Sequence, residues 1–496
     1  MKNDRYYSVN KMPVYCNALL LILMFSGCFF IKKSLDTDFY FLYSFGEYIV
    51  NNGFPVKDVL SMHGDMNIIV QQWLVDLLFY HAYELHGQQA VLAIVYVVYA
   101  AYVILLYKLC KHITGNFFLS VMVTLSSSCL MASVFMVTRP QIFTYLIFIL
   151  LLYALEQYVS TRKIRWLFLL PLLSWVQINI HASMWLMLFV LMMPYVISSV
   201  SIKLPFYTQE ARCKLVDLLV AVVAMIAVAL LNPYGYKALV YLFGSFGVEN
   251  LNKTIQEMAA VTISHTFGKL YMGILFLMGA LLVACRKRKM ELRFLCLTLG
   301  TAVLGLTSYK ATAYFFVVGL ASYAHYFRDF DFTLKGIDTS TRKEKVQLAV
   351  QILVLALTIG GILMVYTGKQ TKTVEFGIVG LEPVADYLDA QESEDMVLYA
   401  GFNEGAYLEF RGYKPYLDAS AELFMEEKNG QFDYFSEYLY VVGGKSYYKD
   451  FLNKYGFTHI VVPTGENYLY ISIFHDPDYE IGYTDEVYTV FTSEAS

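Results

Sequence analysis

Charge is scarce in this chain. Only 16% of its 496 residues are Asp, Glu, Lys or Arg, against about a quarter in an ordinary soluble domain. With 57% hydrophobic residues, that deficit excludes a soluble globular fold over most of the length. Paired cysteines are lacking too. Cys16, Cys28, Cys110, Cys129, Cys213, Cys285 and Cys296 include no CxxC spacing, and none lies beyond residue 296. A zinc ribbon and a disulfide framework are therefore not expected. No heptad, short repeat or low-complexity tract stands out.

What is present divides sharply in two. Residues 1–367 carry 29 Lys+Arg against 18 Asp+Glu, whereas residues 368–496 carry 8 against 23. Such a split marks two environments, a membrane part and an acidic soluble tail. So acidic a tail argues against a nucleic-acid partner. A membrane helix needs about 20 apolar residues, and apolar runs predict eleven spans. They lie near 13–31, 88–110, 117–137, 141–159, 166–180, 183–200, 215–231, 270–285, 294–308, 311–327 and 346–367. Lys2, Arg5 and Lys11 before the first run resemble a secretory signal. That run continues through Phe29, Phe30 and Ile31, so an uncleaved first helix is expected.

Loop charge then sets an orientation. With the N-terminus cytoplasmic, inner loops receive Lys108, Lys111, Arg162, Lys163, Arg165, Lys203, Arg212, Lys214, the run Arg286–Lys289, Arg293, Arg342, Lys343 and Lys345. Lys32 and Lys33 are the exception. An odd number of crossings places the tail, 368–496, outside the cell membrane. The tail reads as α/β: helices at Pro383–Ala390 and Lys449–Tyr455, strands at Met396–Ala400, Ala406–Phe410, Phe457–Val462 and Val487–Phe491.

Polar residues at membrane depth are costly and are candidates for function. The outer loop 32–87 begins with Asp36 and Asp38 and predicts interfacial helices over Phe39–Val50 and Trp73–Leu85. A carboxylate held near a hydroxyl serves as a general base, and two carboxylates two residues apart could also share a divalent cation. The plainer alternative is helix capping, by Asp38 especially. Glu47, Asp58 and His63 share this loop. Arg139, Asn179, His181 and Lys310 fall at other outer ends of spans, and Glu257 lies in the outer loop before the span at 270–285. Arg139 and Lys310 would suit a phosphate; singly, each is equally explained as a helix start or a snorkelling lysine.

The layout resembles the bacterial GT-C class of membrane glycosyltransferases, relatives of the protein mannosyltransferases and of enzymes adding sugars to lipid A. The resemblance lies in Asp36 and Asp38, Gly46-Glu47-Tyr-Ile, Gly53-Phe-Pro55-Val-Lys-Asp58 and Gln72-Trp73-Leu. It continues in Arg139-Pro140-Gln141, Asn179-Ile-His181 and Leu231-Asn232-Pro233-Tyr234-Gly235. A subgroup with a soluble tail has a Gly-Tyr-Leu strand before an Asp-Gly-Arg element, similar to Gly405-Ala-Tyr407-Leu408 and Asp418-Ala-Ser420 here. The resemblance implies a polyprenyl-phosphate sugar donor, a first-loop aspartate as base, inversion at the sugar carbon, and a cell-envelope glycan, lipid or protein acceptor. Asp418-Ala-Ser420 departs from the pattern, as do Lys310 in place of an arginine and the missing glycines after His181.

Two rival readings remain. A flippase or polysaccharide transporter predicts paired inverted repeats and mid-membrane charges, neither of which is evident. A non-catalytic scaffold would use the tail to bind glycan, with Tyr413, Tyr416, Tyr434, Tyr438 and Tyr440 as its surface or, equally, as core.

Overall fold

The computed structural model describes residues 14–204, 207–243, 256–285, 290–329, 380–391, 395–465 and 467–493. The span expected at 346–367 and the boundary at 367 lie outside these residues. What is described is a helical membrane protein carrying a small sheet domain. Among the described residues four helices are long and apolar enough to cross a bilayer: Trp73–Thr114, Phe117–Val134, Gln141–Thr161 and Thr266–Ala284. Shorter apolar helices lie at Leu20–Phe30, Ile164–Ile180, Ala182–Ile197, Leu215–Ala229 and Leu292–Thr307. Last in this part comes a helix whose π-turn, Phe315–Gly319, continues into Leu320–Ala324.

Two local features position the site. Helix Thr37–Asn52 is started by Asp36, whose side chain accepts the Asp38 N–H at 3.3 Å; the cap is thus Asp36 rather than Asp38. Gly53 ends it at φ +85°, a left-handed value that glycine adopts without Cβ strain. The expected interfacial helix proves to be buried on nearly every side, from Phe39 through Gly46. One flank meets helix Trp73–Thr114, where Gly46 approaches so closely that an added Cβ would lie 2.3 Å from the Asp76 carbonyl. On another flank Tyr40 and Tyr43 meet Phe410 edge-on at 5.2 and 5.0 Å. Helix Trp73–Thr114 in turn breaks at His86–Gly87, with Gly87 at φ +60°, which separates its first turns from the long apolar remainder.

The tail folds around a four-stranded sheet. Its strands are β1 (Leu398–Tyr399), β2 (His459–Pro463), β3 (Glu480–Thr484) and β4 (Tyr488–Thr492), in spatial order β1-β2-β4-β3. Only the β1–β2 pair is parallel. Helices Leu381–Ala390 and Tyr448–Tyr455 match their expected places. The strand expected at Ala406–Phe410 is instead a helix, Gly405–Phe410. Its residues Ala406 to Glu409 are all buried, so no polar face signals a helical period. Tyr416 is wholly buried and Tyr440 is 49% exposed, so the tyrosines do not form one surface.

Candidate functional site

A cavity of about 780 Å³ lies where the membrane helices meet the sheet domain. Polar residues that the membrane part contributes to its lining include Asp38, Arg139, Gln141, His181, Glu257 and Lys310. Each sits on a connection or a helix start, where the chain leaves the apolar bundle. Arg139 is their hub. Its Nε donates to Asp36 Oδ1 at 2.6 Å and lies 3.2 Å from Asp38 Oδ2. Its Nη1 meets both Glu257 oxygens at 3.1 and 3.0 Å. Thr138 Oγ1 accepts the Asp36 backbone N–H at 2.8 Å, tying the start of helix Thr37–Asn52 to the Arg139 turn.

Asp36 and Asp38 divide the work of this corner. Asp36 caps a helix and holds Arg139, whereas Asp38 faces the cavity. Burial pushes the Asp38 carboxyl up to about 6, against the pull of Arg139 and with help from Asp36 and Glu257. Its side chain keeps 22% exposure, so a proton can still reach it. A carboxylate titrating near neutrality is suited to general-base work.

The segment around Lys310 pairs with that around Glu257: the Lys310 N–H donates to the Glu257 carbonyl at 2.9 Å and the Tyr309 N–H to Ala259 at 3.0 Å. His181 ends helix Leu169–Ile180, and its Nδ1 lies 3.1 Å from Thr144 Oγ1. That hydroxyl already accepts Gln177 Nε2 at 3.1 Å. The consistent assignment has Thr144 donating to Nδ1, leaving N–H on Nε2. Burial, then Lys310, holds the imidazole well below its ordinary pKa and hence neutral.

Other residues singled out in the sequence stand apart from the cavity. Asn179 is buried as a joint, accepting Trp73 Nε1 at 2.8 Å and donating to Trp175 O at 2.8 Å. Glu47 is exposed and does not line the cavity. Asp58 closes a turn by accepting the Leu60 and Ser61 N–H groups, each at 3.2 Å. His63 docks on the tail: Nε2 meets Tyr416 O at 3.0 Å and the ring stacks on Tyr434 at 3.8 Å. Conversely, of the cavity wall contributed by the tail, Tyr438 is among the tyrosines singled out in the sequence, whereas Phe402, Asn403 and Glu422 carry no signal beyond the nearby Asp418-Ala-Ser420. Gln71 Nε2 reaches Glu422 Oε2 at 3.4 Å across the two parts.

These residues do not fit a divalent cation. Asp36, Asp38 and Glu257 converge on the Arg139 guanidinium, which occupies the place between them where a cation would sit. Among the described residues no group of three or more His, Cys, Asp or Glu is arranged to hold a metal.

No protein-family model matches the sequence, and no curated protein matches it significantly. Solved structures do. The apo oligosaccharyltransferase of Archaeoglobus fulgidus is 10% identical, with a TM-score of 0.61 over 90% of this chain and 70% of that one. ArnT from Cupriavidus metallidurans, bound to undecaprenyl phosphate, is 11% identical, with a TM-score of 0.54 over 97% and 98%. The arabinofuranosyltransferase AftD from Mycobacteria is 12% identical, with a TM-score of 0.53 over 98% of this chain and 40% of that one. At such identities the shared property is the fold, that of the GT-C membrane glycosyltransferases.

Proposed function

We propose, with the GT-C fold as the starting point, that the cavity transfers a sugar from a polyprenyl-phosphate donor to a cell-envelope acceptor at the outer leaflet. One observation carries the reading: Asp38, whose carboxyl burial pushes up to about 6, shares a cavity with the cations Arg139 and Lys310. ArnT of the same fold was solved with undecaprenyl phosphate, which supports a lipid phosphate as the donor's leaving group here.

In this reading Asp38 takes the proton of an acceptor hydroxyl as its oxygen bonds to the anomeric carbon. The bond from that carbon to the phosphate oxygen breaks, and its electron pair leaves with the lipid phosphate. Lys310 and Arg139 offset the charge gathering on the phosphate, and His181 Nε2–H is a further donor. Inversion follows from a single displacement. Asp36 and Glu257 position Arg139. No step runs through a divalent cation. The N-terminus is cytoplasmic and the tail extracytoplasmic, in accord with the Lys/Arg bias of the loops.

Purified protein in lipid nanodiscs, given polyprenyl-phosphate sugars and envelope acceptors, tests the proposal. Asp38→Asn is expected to lower turnover by about 10²–10⁴-fold with unchanged thermal stability. Full turnover by that variant would remove Asp38 from the reaction.

A further inference from the structure

Away from the Arg139 corner, three carboxyl groups are buried together where the first loop meets the tail. Asp58, Glu409 and Asp418 are 6%, 5% and 2% exposed. Glu409 lies against Asp418, and Asp58 is within electrostatic reach of both. Two of the three have donors: Asp58 has the Leu60 and Ser61 N–H groups and the Ser61 hydroxyl, and Asp418 has the Ser420 N–H at 2.7 Å and its hydroxyl. Among the described residues neither oxygen of Glu409 has a donor, and both are fully enclosed.

Among the described residues no cation resolves the cluster. Arg411 is paired with Asp386 and Asp389, and Lys454 with Glu437. His63, the ionisable neighbour on the loop, is neutral because burial pushes it down to about 4. A buried carboxylate without a donor or counter-charge is untenable. Two facing carboxyls are reconciled by one shared proton.

The place of the cluster gives it a consequence. The chain at 415–418 is clamped between loop and helix: Met62 N–H donates to Pro415 O at 3.1 Å and His63 Nε2 meets Tyr416 O at 3.0 Å. From behind, Gly405 packs so closely that an added Cβ would lie 1.7 Å from Leu417 O. The next residues, Ala419 to Leu423, line the cavity.

We propose that a proton held between Glu409 and Asp418, beside Asp58, seats the 415–423 segment on the membrane part, so that the cavity's tail-side wall closes at low pH and loosens as pH rises. Burial raises Asp418 to about 6 and raises Glu409 and Asp58 as well. The unseated groups release their protons near the ordinary carboxyl range of about 4. Seating is therefore fullest below about 4 and is lost as pH climbs through about 6 and beyond.

Hydrogen–deuterium exchange on the full chain in nanodiscs, corrected for intrinsic rates, reads this directly and needs no sugar substrate. Between about pH 5.5 and about pH 8.5, protection of the Met62 amide and of 417–423 is expected to fall about ten-fold or more. Glu409→Gln keeps a donor to Asp418 that has no proton to lose, and its protection is expected to fall clearly less than that of the wild type. Asp418→Asn is the second variant, with the same expectation, should Glu409→Gln fold poorly. A level wild type, or an equal fall in both variants, would overturn the proposal. So would recovery of protection at the higher pH on adding millimolar Ca²⁺ or Mg²⁺, which would assign the cluster to a cation.

Discussion

Helix Gln141–Thr161 has an arginine–carboxylate cluster near each end, roughly 25 Å apart at 1.5 Å per residue, and the two are built differently. Near its C-terminal end Glu156 receives Arg293 through Nε at 2.8 Å and Nη2 at 2.9 Å. Tyr195 donates to the same carboxylate at 2.8 Å. The paired side chains are 6% and 3% exposed, and Arg293 Nη1 also meets the carboxylate of Glu291. Just before its N-terminal end Arg139 spreads its donors over three carboxylates, keeps 17% exposure and opens on the cavity. A planar bidentate pair with a third donor uses its oxygens fully and acts as a joint between helices. The Arg139 cluster has acid groups in excess, and one of them, Asp38, is left at the cavity wall near neutrality. The contrast separates charge used for holding from charge available for chemistry.

Cutting the closed pair should give the larger structural effect. Glu156→Gln leaves Arg293 buried with weakened compensation and is expected to destabilise the protein by about 3–5 kcal/mol, read as a lowered Tm in detergent. Turnover per folded molecule should be unchanged. Asp38→Asn should do the reverse. If the two variants behave alike, the distinction between joint and site fails.

The pH profile sharpens the same contrast. As a base, Asp38 must be ionised, so its raised pKa puts the loss of activity on the acid side: kcat/KM should fall about ten-fold per pH unit below about 6 and level off above it. For stability the sign is opposite, since a raised folded pKa favours the protonated fold below about 4, an advantage lost as pH rises through about 6. A rate profile flat from about pH 5 to about pH 8 would remove Asp38 as the base. The smallest effect is expected at a joint without charge. Trp73→Phe removes the indole N–H from Asn179 and should cost about 1–3 kcal/mol, measured by chemical denaturation, with kcat unchanged.

Parts of this site could be read from residue order, for a definable reason. Arg139, His181 and Lys310 each interrupt an apolar run at its end, and at membrane depth such interruptions are rare enough to notice; Glu257 lies in the loop between two runs. Asp58 and His63 share a loop with Asp36 and Asp38, and that links them to the site in the sequence. That loop runs from the Arg139 corner to the tail, and its far half serves docking. Glu47 shares a helix with Asp38 and lies away from the cavity. Likewise Gly405–Phe410 reads as a strand when every residue from Ala406 to Glu409 is buried, because periodicity reports a helix only when one face meets water.

By itself, then, the order of residues determined that the protein is helical and membrane-bound, with an acidic α/β tail. Those properties follow from hydropathy and charge summed over many residues, and single contacts hardly alter such sums. Tertiary structure alone decided which of two neighbouring aspartates faces a cavity, that the tail supplies one wall of it, and that Glu409 meets Asp418 and Asp58. Each of these depends on side chains brought together from distant segments, and a shift of one helix residue turns a side chain by about 100°.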